Sequence, residues 1–137
     1  MEKVFVDTDI VLDLLSGREP HYDFAAELFS LADKSLLKIF VSSLTFANVH
    51  YVLSKQLTAT RARKLLQKLK TVVNVLAVND KIIELSLASD FRDFEDAIQY
   101  HTAIENDLET LLTRNLSDFK QAQISILTAQ QFLKTLT

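Results

Sequence analysis

Polar groups able to do chemistry stand in this chain where apolar runs stop. Val4-Phe5-Val6 gives way to Asp7-Thr8-Asp9, and Asp93-Phe94-Glu95-Asp96 opens a stretch with a helical apolar stripe. Two more apolar runs end in hydroxyls and amides: Ile39-Phe40-Val41 in Ser42-Ser43, and Thr110-Leu111-Leu112 in Thr113-Arg114-Asn115. If Asp7 and Asp96 converge, they make a site of hard oxygen donors that suits Mg²⁺ or Mn²⁺, with water supplying most remaining ligands. Close carboxylates raise each other's pKa and are costly unless a cation neutralises them. A divalent ion held there can activate water for in-line attack on a phosphodiester. A plainer use exists for each acid. Asp7 and Asp93 can cap the helices that follow them, and acids in a first turn favour the helix dipole. Asp93 and Asp96, three residues apart, share one helical face. Residue type and spacing leave both uses open.

The elements that must position these groups alternate. Val4–Val6 reads as a buried strand, followed by a helical pattern at Ile10, Val11, Leu14 and Leu15. Gly17 suits a helix stop and Pro20 the first turn of a helix running to Ala32. A strand at 39–41 precedes a helix over 44–53, and Thr58 or Thr60 caps another through Lys70. Thr71–Val78 is a β-branched third strand, Asp80 caps a helix to about Ala88, and a further helix begins at Asp93. Thr110–Leu112 is the fourth strand, 124–126 an edge strand, and Thr128 caps a closing helix. Strands alternating with helices imply right-handed crossovers and a mostly parallel sheet, with ligands bound beyond the carboxyl ends of the strands. Asp7, Asp9, Ser42, Ser43, Thr113 and Asn115 all fall on that edge.

Composition narrows the chemistry. The 137 residues suit one domain, 1–137, with a core of its own. One glycine and one proline exclude the glycine-rich phosphate loop and the dinucleotide fingerprint. Without cysteine there are no disulfides and no thiolate metal sites, and a cytoplasmic home is the expectation. No membrane span and no signal peptide are expected from the hydropathy pattern. A net charge of −3 argues against a protein coated in basic surface, though not against a local patch.

In order, Val6-Asp7-Thr8-Asp9, Ser42-Ser43-Leu44-Thr45, Asp93-Phe94-Glu95-Asp96-Ala97 and Thr113-Arg114-Asn115-Leu116-Ser117-Asp118-Phe119 resemble the motifs of a PIN domain, over essentially the whole chain. The likeness is to the small bacterial kind that includes VapC-type toxins. It implies an α/β three-layer sandwich with a mostly parallel central sheet flanked by helices. It also implies a Mg²⁺- or Mn²⁺-dependent endoribonuclease, paired with an antitoxin protein and homodimeric. By resemblance, Asp7 takes the place of the first acid, Asp96 the third, and Asn115 the fourth, where the family has Asp or Asn. Thr113 looks like the polar neighbour that hydrogen-bonds the acids. The departure is at the second acid: Asn48 stands where the family commonly has Glu. With Asn48 and Asn115 neutral, Asp93, Asp118 or Asp9 would have to compensate. The expected catalytic set is therefore Asp7, Asp96, Asp93 and Asn115. Asp7, Asp96, Asp93 and Asp118 are expected on the metal, and Ser43, Asn48, Thr113 and Arg114 on the RNA.

Two rival readings follow from the same residues. Asp7-Thr8-Asp9-Ile10-Val11 also resembles the nucleophile loop of haloacid-dehalogenase-like phosphotransferases, with Asp7 as nucleophile and Asp9 as general acid. The chain is short for that fold, and this reading gives no role to Thr113-Arg114-Asn115. The neutral Asn48 and Asn115 instead suggest a catalytically silent PIN-like module that binds RNA or a partner protein. Lys55, Arg61, Arg63, Lys64, Lys68 and Lys70 read as a solvated basic face that can also draw in an RNA backbone. His21, His50 and His101 lack zinc spacing. Arg114 can meet phosphate or pair with a nearby acid, and Phe46 and Val49 are candidates for a dimer contact.

Overall fold

The computed structural model describes residues 1–136. Lys3–Val6 forms β1, the middle strand of a five-stranded sheet in the order β3-β2-β1-β4-β5. Strands β2 (Lys38–Ser42), β3 (Val73–Leu76), β4 (Thr110–Leu112) and β5 (Ser125–Leu127) complete it. Every pairing is parallel. Parallel neighbours need crossovers, and the helices α1 (Thr8–Leu15), α2 (Tyr22–Asp33), α3 (Ser43–Gln56), α4 (Ala59–Lys70), α5 (Asp80–Leu87) and α6 (Phe94–Glu105) supply them. A 3-10 turn at Leu116–Phe119 and a last helix, α7 (Ala129–Thr135), follow β4 and β5.

Strand side chains alternate between faces, and here both faces are dry. Val4 and Val6 enter one apolar cluster with Ile39, Val41, Leu28, Leu53, Leu66 and Phe132. Phe5, pointing the other way, joins Leu111, Tyr100, Ala103 and Phe119 in a second. Helices α1 to α4 and α7 thus cover one face, while α6 and the 3-10 turn cover the other. This is the three-layer α/β sandwich expected from the sequence. Because Val4, Phe5 and Val6 are wholly buried, facing both sides of the sheet, the polar residue that follows them, Asp7, is fixed at the carboxyl edge near the middle of the sheet.

Several boundaries differ from the sequence reading, each for a local reason. Pro20 is not at a helix start: the Glu19–Pro20 bond is cis and α2 begins at Tyr22. Gly17 has φ 62°, the left-handed conformation that suits glycine after a helix. Asn79, not Asp80, caps α5 by accepting from Ile82 N. The β-branched run 71–78 is strand only over Val73–Leu76, since Thr71 ends α4. Strand β5 starts at Ser125, one residue later than its apolar run. Val49 is fully buried in the core, so it cannot serve a dimer contact, and Phe46 packs against the same cluster.

Candidate active site at the carboxyl edge of the sheet

Asp7 ends β1 in extended backbone and caps α1, its Oδ1 accepting from Thr8 N at 2.8 Å. Capping occupies only part of its carboxylate. Oδ1 also accepts from Gln99 Nε2 at 3.2 Å, and Oδ2 accepts from Thr113 Oγ1 at 2.9 Å. Residues 92 and 106 positions away in sequence therefore close on one acid. Thr113 arrives there because β4 lies beside β1 and ends level with it, Val6 being in register with Leu112.

Behind Asp7 lies a dry polar hub centred on Gln99, a residue the sequence reading missed. Its side chain is fully buried. Nε2 donates to Thr8 Oγ1 at 3.1 Å and Thr45 Oγ1 at 2.9 Å, and Oε1 accepts from Ser42 Oγ at 2.6 Å. Such networks are worth their burial only when every member is satisfied, and here α6 is tied to β1, β2 and α3 together. A glutamine on the buried stripe of a helix, three residues after Asp96, was the available signal. Of the paired serines, Ser42 faces inward. Ser43 is exposed, and its Oγ accepts from Val78 N at 3.2 Å, bracing the loop after β3.

The acids gather on the solvent side of that hub. Burial first, and the Asp9 charge second, push the Asp7 carboxyl up to about 7 against the donors from Thr113, Thr8 and Gln99. Asp96 is also pushed up to about 7, by partial burial first and then by the charges of Asp7, Asp93, Asp118 and Glu95. The charge of Asp7 thus acts on Asp96, so the two acids are electrostatic neighbours. Asp93 caps α6, its Oδ1 accepting from Asp96 N at 3.1 Å, so one carboxylate both caps the helix and repels its neighbour. Asp93 and Asp118 line a cleft of about 500 Å³ together with Arg92 and Lys120, two cations the sequence reading did not single out.

Asn48 lies beside Glu95. Its amide draws the Glu95 carboxyl back down, against the upward push of burial and of Asp93, although Asn48 Nδ2 reaches no hydrogen bond of full geometry. A carboxylate from α6 therefore stands next to the position where the sequence lacks one. Asn115 is exposed; its N–H donates to Thr113 Oγ1 at 3.1 Å and its amide reaches Asp9 Oδ2 at 3.5 Å. Asp9 Oδ2 chiefly accepts from Arg114 N at 3.1 Å. That orientation overturns the general-acid role of the phosphotransferase reading, because Asp9 is turned onto the β4 loop. The Arg114 guanidinium pairs with Asp13, Nε to Oδ2 at 3.0 Å. Of the histidines, His101 packs edge-on against Phe91 and Tyr100.

A divalent cation fits this donor set. The oxygens are hard, and the two acids raised to about 7 are those whose repulsion a cation relieves. Among the described residues no three Asp, Glu, His or Cys side chains close a protein-only cage. The fit is thus to an ion that keeps several waters and takes one or two carboxylates.

Fold and site together define a PIN domain, and the chain belongs to that family: the PIN domain profile matches residues 3–117. The chain is 30% identical, over 96% of its own length and 93% of the other's, to "Ribonuclease VapC1" of Aquifex aeolicus (strain VF5). Among solved structures it is similar to a toxin–antitoxin complex from Klebsiella pneumoniae, with a TM-score of 0.68 and 28% identity. That match covers 92% of this chain and 97% of the other. The fold is shared with VapBC-1 from nontypeable Haemophilus influenzae, with a TM-score of 0.71 and 16% identity, covering 93% and 98% of the two chains. Ribonucleases of the PIN family are metal-dependent. None of the helices among the described residues is long and apolar enough to cross a membrane.

Proposed function

We propose that this protein is a Mg²⁺- or Mn²⁺-dependent endoribonuclease, the toxin of a toxin–antitoxin pair, acting in the cytoplasm. The observation that supports the reading is the charge coupling of Asp96 to Asp7, with both acids raised to about 7 by burial and like charge. Family membership and the ribonuclease relative support the activity, and the similar toxin–antitoxin structure supports a protein antitoxin as partner.

In this reading Asp7 and Asp96 hold the ion, with Asp93, Asp118 and Glu95 adding negative charge around it. A bound divalent ion supplies charge neutralisation at the phosphodiester and a lowered pKa for water. Thr113 and Gln99 fix the Asp7 carboxylate from both sides, so its oxygens do not reorganise as the ion and the RNA arrive. Asn115 and Asn48 offer uncharged amides at the rim, and Arg92 and Lys120 receive the RNA backbone along the neighbouring cleft. Arg114 acts by shaping the β4 loop, its guanidinium being engaged by Asp13. Homodimerisation is proposed from the family resemblance and must use surface other than Val49.

The test is cleavage of single-stranded RNA by purified protein with Mn²⁺ or Mg²⁺. Cleavage lost on chelation, and on Asp7→Asn or Asp96→Asn, is the expected result. RNA binding with no metal-dependent cleavage would overturn the enzyme reading in favour of a silent RNA-binding module, for which the neutral Asn48 is the motive.

A further inference from the structure

The charges of this protein are sorted along the chain. Residues 34–79 hold eight of its 15 lysines and arginines and none of its 18 acids. Six of the eight fall between Lys55 and Lys70, at the end of α3 and along α4. Lys55 is engaged: it donates to the Tyr51 hydroxyl at 2.7 Å, with Nζ 4.2 Å from the centre of that ring. Arg61, Arg63, Lys64, Lys68 and Lys70 are exposed, and their side chains make no hydrogen bond or ion pair among the described residues.

Helix α4 buries Ala62, Leu66 and Leu69 and turns these cations outward. A solvated helix is stabilised by acids three or four residues from its cations, and like charges at that spacing do the reverse. Here Arg61 and Lys64 are three apart and Lys64 and Lys68 four, with no acid on the helix. Those three cations and Leu65 line a hollow of about 190 Å³. Seven residues of helix rise ~10 Å, which matches about three nucleotides of one strand at ~3.4 Å each.

The occupant follows from what the face lacks. Protein interfaces centre on apolar and aromatic anchors. Beyond its cations and the half-buried Leu65, α4 exposes only Ala59, Thr60 and Gln67. Nucleic-acid interfaces are instead polar and strongly positive. An RNA approaching this protein also needs such a face. The net charge is −3, and Asp7, Asp9, Asp93, Glu95, Asp96 and Asp118 all repel a polyanion. Arg92 and Lys120 share their cleft with Asp90, Asp93 and Asp118, whereas the α4 hollow has no acid. Helix α3 joins the two regions. Its Asn48 stands beside Glu95, and the helix then leads through Leu57 and Thr58 into α4, against which it packs.

We propose that Arg61, Lys64 and Lys68 form an anchoring site for the phosphate backbone of the RNA, separate from the acids, which holds one part of a long substrate while the acids act on another. The inference rests on the ribonuclease reading for its RNA.

The test is fluorescence anisotropy of a labelled single-stranded RNA of ~20 nucleotides with metal-free protein over a series of salt concentrations. Arg61→Gln/Lys64→Gln/Lys68→Gln removes three charges at similar helix propensity. Its binding is expected to be weaker, with a slope of log K against log salt shallower by about 2. Lys3→Gln/Lys34→Gln/Lys38→Gln removes the same charge near the amino edge of the sheet and is expected to leave the slope unchanged. An equal loss in both triple variants, or an unchanged slope in the α4 variant, would overturn the proposal. So would tighter binding of poly-glutamate than of the RNA, lost in the α4 variant, which gives the face to an acidic protein partner. Binding through α4 by a protein that never cleaves removes only the ribonuclease reading. Metal-dependent cleavage by a protein whose RNA affinity ignores α4 removes only the anchoring site.

Discussion

Asp7 and Asp13 are buried acids six residues apart at the two ends of one short helix, and the structure treats them in opposite ways. Asp13 faces the fixed cation of Arg114, and though burial raises its pKa, Arg114 and His21 pull it back. Asp7 has only neutral donors, and the charges near it are of its own sign. One region is electrically closed and the other is left unbalanced. The ribonuclease reading proposed above puts a cation from solution at this imbalance.

Breaking the unbalanced region should have the largest effect. Asp7→Asn or Asp96→Asn is expected to lower metal-dependent RNA cleavage by more than the ~10–100-fold that loss of a supporting partner costs, measured as kcat/KM on one RNA. Breaking the closed region should instead cost stability. Arg114→Ala leaves Asp13 buried and unpaired, a loss of about 3 kcal/mol in urea denaturation, the low end for buried pairs because the guanidinium is about a third exposed. Restoration of that stability by Asp13→Leu in the Arg114→Met background would confirm that the unpaired charge is responsible.

The hub between the regions is expected to be nearly as sensitive. Gln99→Ala removes four hydrogen bonds from buried hydroxyls and the Asp7 carboxylate, a cost of about 2–3 kcal/mol by the same measurement. A stability equal to the parent's would mean that the network carries no weight.

The unbalanced region should also give the metal-free protein an unusual pH response. Asp7 and Asp96 hold a proton up to about 7 when folded, against an ordinary 3.8, so their protonation favours the folded state. Their contribution is fully present below the unfolded value and is lost as pH rises through the folded one. The Tm of metal-free protein is expected to fall between about pH 5 and about pH 8, with Mn²⁺ recovering it at the upper end. A Tm that is flat over this range and unmoved by Mn²⁺ would contradict the imbalance.

The smallest effect separates the two roles of Asp93. Asp93→Ala should cost about 1 kcal/mol for the lost cap, and Asp93→Ser nearly nothing. If both weaken Mn²⁺ binding equally, the charge of Asp93 belongs to the site; if neither does, Asp93 is a cap alone.

Much of this arrangement was legible before any coordinates. Short apolar runs bounded by polar residues gave the parallel sheet, because a strand covered on both faces has no other pattern available to it. The stop at Asp7 put an acid on the functional edge, and motif order placed Asp96, Thr113 and Asn115 with it. Pattern failed where a residue's partner lies across the fold. Ser42 and Ser43 are identical in type, and only the strand-to-helix geometry turns one to Gln99 and the other to Val78. Asn48 looked like a missing charge until Glu95 was found beside it. Val49 looked available for a partner until packing buried it.

Sequence by itself thus determined the order of elements and which polar groups reach the carboxyl edge, since both follow from local periodicity. Tertiary structure alone decided which acids share charge and which are paired. Electrostatic coupling depends on distance and burial, and neither can be read from spacing along the chain.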